Sequence, residues 1–119
     1  MRRLDDVFAE LQTSSFRRGF RLRGKELAYL QQKGLPLVMA HAEDFLTKRL
    51  QPACIPNDGR QAPFKGHPVF VAQHAIACCC RGCLEKWHHI PRGRSMSADE
   101  IAYALTVLER WLKTQEITA

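Results

Sequence analysis

At 119 residues, 45% hydrophobic and 25% charged, the chain has the size and composition of one globular domain spanning 1–119, and it is too apolar for general disorder. No apolar run approaches the ~18–20 residues of a membrane span. The charged start Met1-Arg2-Arg3-Leu4-Asp5-Asp6 lacks the apolar stretch of a signal peptide, so the sequence reads as a soluble cytoplasmic protein with no membrane partner.

The net charge of +6 is unevenly spread: +4 over residues 1–25, +1 over 26–75, +3 over 76–94 and −2 over 95–119. Clustered cations favour nucleic acid as a partner, because neutralising phosphates releases counterions. The expected contacts are Arg17, Arg18, Arg21 and Arg23 in the first cluster, and Arg81, Lys86, Arg92 and Arg94 in the second. The same charge also serves plain solubility.

In chain order, Leu4, Val7, Phe8 and Leu11 follow helical spacing, with Asp5 and Asp6 in the first turn where the helix dipole favours acids. Residues 16–23 alternate apolar with basic side chains and read as a short extended piece or a basic loop. Lys25 to Lys33 reads as a helix ended by Gly34. Pro36 suits the first turn of the next helix, which runs to about Leu50 before Pro52. Residues 51–66 form a long Pro/Gly loop with a turn at Asn57-Asp58-Gly59. Pro68 opens a helix directed at the cysteines. Residues 90–97 make a second basic loop, and Ser97-Ala98-Asp99-Glu100 is a capping box. It starts a last helix with Ile101, Leu105, Leu108 and Leu112 inward and Trp111 beside them. Four or five helices and no convincing strand pair predict an all-α domain.

Four of the five Cys and four of the five His fall between 67 and 89: His67, His74, Cys78, Cys79, Cys80, Cys83, His88 and His89. Adjacent cysteines make a poor disulfide framework, and such clusters in cytosolic proteins point to metal or catalysis. Cys80, Cys83 and His88 form Cys-x2-Cys-x4-His, the first three positions of a zinc knuckle. The knuckle's fourth ligand would fall at Gly93, so the chain is not one. The fourth ligand must come from Cys54, His67 or His74 upstream, or from Cys79. A continuous helix would put His67, His74 and Cys78 on one side and Cys79 and Cys83 on another, with Gly82 as the place to turn back. Either Cys79 or Cys80 binds zinc with Cys83, His88 and His74 or His67, or His67 and His74 line a separate pocket beside a cysteine site. Mixed thiolate and imidazole ligands suit Zn2+. An iron–sulfur cluster is the minor alternative, because it needs about four thiolates. Against both stands the packing of cysteine as a small hydrophobe, which suits Cys78 best. His41 reads as a core histidine and Cys54 as a bystander.

The segments Gly66–Ala75 and Cys79–His88, with Pro56-Asn57-Asp58-Gly59 and Ile90-Pro91-Arg92-Gly93, resemble a small bacterial and phage family known as domain-of-unknown-function family 4186. The resemblance covers nearly the whole chain and carries over at His67, His74, Cys79, Cys80, Cys83, Lys86, Trp87 and His88. Cys78 departs from the family pattern, which argues against it as a ligand. The resemblance implies a bacterial or prophage origin and supplies no activity.

Three functions compete. The first is a small zinc protein that binds nucleic acid. The second is a metal-dependent hydrolase or nuclease using His67, His74, Cys83 and His88 or His89, with Lys86 or Arg81 on the phosphate and Asp58 assisting. The third is a thiol redox protein built on Cys80 and Cys83, with Arg81 between them. Whether the chain is an enzyme is left open.

Overall fold

The computed structural model describes residues 1–54 and 62–117. Their regular structure is all helical: α1 (Leu4–Leu11), α2 (Ser15–Arg18), α3 (Gly24–Lys33), α4 (Leu35–Arg49), α5 (Pro68–Ala75), α6 (Arg81–His88) and α7 (Ala98–Ile117). None of these helices is long and apolar enough to cross a membrane. The long α7 is the spine. It packs chiefly on α4, and also on α5 and α3. Ile101, Ala104, Leu108 and Leu112 bury one stripe of it against Val38, Ala42 and Leu46 of α4.

Several ends form for the reasons the sequence gives. Gly34 stops α3 with φ +86°, a value that L side chains avoid. Pro68 is the first residue of α5. The capping box is made in both directions. Glu100 N–H donates to Ser97 Oγ at 3.1 Å, and Ser97 N–H donates to Glu100 Oε1 at 2.9 Å.

Two helices exceed the expected four or five. Within the stretch read as extended or loop, Ser15–Arg18 is a turn of helix, capped by Ser14 Oγ accepting from Arg17 N–H at 3.2 Å. The second correction concerns the chain after α5. The helix does not run on to the cysteines or turn at Gly82, which lies inside α6. It stops at Ala75 in a Schellman turn. Ala77 takes φ +59°, and Cys78 N–H donates to Gln73 O at 2.8 Å. Gln73 Nε2 braces the turn by donating to Cys78 O at 3.1 Å. Cys80 then becomes the N-cap of a new helix. The turn at Asn57-Asp58-Gly59, with Pro56, lies outside the described residues.

Candidate metal centre

The reversal at Ala77 brings three thiols together. The Sγ atoms of Cys79, Cys80 and Cys83 all lie within 4.8 Å of one another. Cys80 sits at the N-cap of α6, where its sulfur accepts Cys83 N–H at 3.4 Å, and Cys83 is one turn into the helix. A thiolate here meets the positive end of the helix dipole. Cys79 and Cys80 are buried against Ala62, and Cys83 is half-buried.

The fourth member of the group is Arg17, which comes from α2. It is 8% exposed. Its Nη2 donates to Cys83 Sγ at 3.1 Å, and its Nη1 donates to Cys79 Sγ at 3.7 Å and to His74 O at 2.7 Å. Hydrogen bonds from the Cys79 and Cys80 thiols, with the guanidinium charge, hold the Cys83 thiol far below the usual cysteine range. Cys79 is driven up instead, because its hydrogen bonds to Cys80 and Cys83 keep its proton in place and burial adds to the effect. Three sulfurs at this spacing can hold a metal ion. Three thiolates, one divalent ion and one guanidinium would also sum to zero charge, which suits a site this buried.

The histidines separate. His74 is the nearest in role, since its charge interacts with both Arg17 and Cys83. Its Nδ1–H donates to Phe70 O at 2.9 Å, which leaves the Nε2 lone pair for a partner. The rings of Phe20 and Phe64 stack on it at 5.7 and 4.2 Å. Burial pushes its pKa down.

His67 and His88 do not join the thiols, and the reason in each case is that both ring nitrogens are engaged elsewhere. His67 caps α5, with Nδ1 accepting Val69 N–H at 3.0 Å and Nε2 facing His41 Nδ1 at 3.1 Å. Tyr29 Oη is 3.4 Å from the same His41 nitrogen. With Nδ1 an acceptor, the neutral ring carries its proton on Nε2 and offers no lone pair to a metal. Burial, aided by the His41 charge, pushes its pKa down to about 4. His88 is fully buried: Nε2–H donates to Ile76 O at 2.6 Å, and Nδ1 accepts from Tyr103 Oη–H at 2.7 Å. Burial brings its pKa down to about 4 as well. His89 is exposed at the end of α6. Cys78 is fully buried, 3.7 Å from His88 Nε2, and Cys54 is exposed. Among the described residues, no other group of three or more His, Cys, Asp or Glu ligand atoms comes together. Asp58 lies outside those residues.

The arginines also divide. Arg81 is 2% exposed and donates to the carbonyls of Leu50, Pro52, Pro91 and Arg94 at 3.0, 3.1, 2.6 and 2.9 Å. Arg92 is held by Glu85 at 3.3 Å, and Arg94 forks onto both oxygens of Glu100 at 2.8 and 2.6 Å. Arg18, Arg21, Arg23 and Lys86 lie on the surface. The structure therefore brings Arg17 and Arg81 inward, away from the phosphate contacts expected of them, because sulfurs and carbonyls buried beside them need donors. Nothing in residues 76–94 signals Arg17 as the partner of the cysteines, since it lies 66 positions before Cys83.

The DUF4186 family model, a domain of unknown function, matches residues 5–113. The chain belongs to that family. The match takes in all three thiols, Arg17 and His74, so the centre lies wholly within the family domain. No solved structure matches the chain.

Proposed function

We propose that this DUF4186 protein is a small zinc protein that binds nucleic acid, with the metal at Cys79, Cys80 and Cys83. The convergence of three sulfurs under one guanidinium carries the reading. Zinc is the natural ion for thiolate ligands with an imidazole available. Only three thiols converge among the described residues, one short of the usual complement of an iron–sulfur cluster. His74 supplies the fourth ligand in this reading. Its Nδ1–H is already anchored on a carbonyl, the arrangement that orients metal-binding histidines. Its ring moves toward the sulfurs on binding, because Nε2 lies outside the group they form. The ion then ties the α5–α6 corner to itself and, through Arg17, to α2. The nucleic acid meets the cations that remain outside, Arg18, Arg21, Arg23 and Lys86.

Metal analysis by mass spectrometry on protein purified without chelator tests the first half. One zinc per chain is expected. Cys79→Ser, Cys80→Ser and Cys83→Ser should lose it, Cys54→Ser should keep it, and His74→Ala should bind it more weakly. Metal-free protein kept reduced overturns the reading, and formation of a Cys80–Cys83 disulfide when that protein is then oxidised would favour thiol redox chemistry. Iron with visible absorption would keep the centre and replace the ion. Salt titration tests the second half. Four phosphate contacts to a single strand predict a slope of log K against log salt of about −3, where all eight expected cations would give about −6. No salt-dependent binding refutes the partner.

A further inference from the structure

A cavity of about 180 Å³ opens between α1, the α2 segment and the C-terminal half of α7, with Arg17 and no cysteine in its lining among the described residues. Its apolar wall includes Phe8, Phe20 and Trp111, and its cations are Arg17, Arg18 and Arg21. No acidic side chain lines it among the described residues. Arg17 is already engaged with His74 O and the sulfurs. Arg18 reaches only Gln12 O, at 3.5 Å, and Arg21 makes no hydrogen bond or ion pair within the described residues. Aromatic rings with unshared guanidinium groups at one mouth suit a flat, electron-rich ring joined to an anion. The size selects further. The cavity is smaller than the ~300–1,000 Å³ of sites for drug-sized ligands, so it admits one ring system and leaves the anion at the rim.

We infer that this cavity takes a single nucleobase against its aromatic wall, with the attached phosphate held at the mouth by Arg18 and Arg21. The inference rests on the nucleic-acid reading above and gives it a place. Stacking on aromatic side chains with arginine beside them is how single-stranded nucleic acid is held without sequence readout. The same chemistry is offered by a free nucleotide or by an unstacked base of a strand. Arg17 lines the cavity and also donates to Cys79 and Cys83, so an occupant would sit one side chain away from the metal centre.

Isothermal titration with adenosine monophosphate, inorganic phosphate and a short single-stranded oligodeoxynucleotide tests this on the metal-loaded protein. Two variants accompany it. Arg18→Glu/Arg21→Glu alters only exposed side chains, and Trp111→Leu removes a ring from the wall. Metal content and circular dichroism check that each variant is folded. Binding of the mononucleotide or the strand, weakened at least about tenfold by the charge reversal, is the expected result. Trp111→Leu should weaken nucleotide binding while leaving any phosphate binding unchanged. If the mononucleotide binds, a free ligand fills the site. If only the strand binds, the site is filled by a base of the polymer. Strand binding that neither variant changes overturns the cavity and leaves the nucleic-acid reading standing. Phosphate binding as tightly as the mononucleotide overturns the base-stacking part. Binding of neither nucleotide nor strand overturns both readings.

Discussion

Arg81→Met keeps the bulk of the side chain and removes every donor from one of the most buried positions in the chain. The wild-type guanidinium serves the carbonyls of Leu50 and Pro52 at the end of α4, and those of Pro91 and Arg94 in the loop before α7, all at 3.1 Å or less. Helix α4 ends in carbonyls that its own turns cannot pair, and a cation at that end also meets the negative pole of the dipole. The substitution leaves four carbonyls without this donor, at roughly 1 kcal/mol each, or about 3–5 kcal/mol together. Against a total stability of roughly 5–15 kcal/mol, the loss is large. For a domain of this length about 1 kcal/mol corresponds to ~4 °C, so the melting temperature should fall by about 12–20 °C. Arg81→Lys, with three donors on a point charge, should lose about half as much. Thermal and urea unfolding of the purified proteins by circular dichroism measures both. A loss below about 1 kcal/mol for Arg81→Met, together with weaker nucleic-acid binding, would refute the structural role and return Arg81 to the phosphate surface.

The buried His88 makes stability depend on pH. Its pKa is about 4 in the fold against 6.5 for an ordinary histidine. The unfolded chain therefore takes up the proton first as pH falls. The stability is fully present above about pH 6.5 and is lost toward pH 4, with His67 acting in the same direction over the same window. Urea midpoints should show a loss of about 2 kcal/mol between pH 7 and pH 5 from His88 alone, and an unchanged or rising midpoint contradicts the neutral, tyrosine-paired ring. His89 holds φ +60° at an exposed position at the end of α6. His89→Gly should raise stability by about 1 kcal/mol in the same assay, and a decrease would mean that the imidazole makes a contact that matters.

What the sequence made legible was the part of the fold that local chemistry decides. Gly34, Pro68, the Ser97–Glu100 box and the apolar stripe of α7 each act within one or two turns, and each does what its residue type dictates. The break at Ala77 was not legible, because a Schellman turn usually announces itself with glycine and here alanine occupies the left-handed position. Without that break, a continuous helix keeps Cys79 and Cys83 on one face but turns Cys80 about 100° away from Cys79. With it, Cys80 is an N-cap and the three sulfurs meet. Of the residues singled out in the Cys/His segment, the structure brings Cys79, Cys80 and Cys83 together and leaves His67 and His88 engaged elsewhere. Whether a histidine belongs to the centre depends on what its two nitrogens already hold, and Ile76 O, Tyr103, Val69 and His41 are tertiary or capping partners that spacing does not reveal.

The same distinction decides what the positive charge is for. Arg17 and Arg81 are indistinguishable in sequence from the cations around them, yet among the described residues they are the two arginines that the fold buries. One neutralises a knot of thiols and the other closes a ring of carbonyls. Both tasks suit arginine and not lysine, because a planar fork meets several acceptors at once and stays charged when buried. Arg92 is held by Glu85 on the surface, where an ion pair opens to a competing phosphate at small cost, whereas Arg94 is forked onto the buried Glu100 and is held more firmly. The charge left facing outward is therefore smaller than composition suggests, and Arg18 and Arg21 are the exposed part of it that lines the cavity beside Trp111. Arg17 both lines that cavity and donates to the sulfurs of Cys79 and Cys83, so under the proposed reading an occupant there would be coupled to the thiol cluster through it.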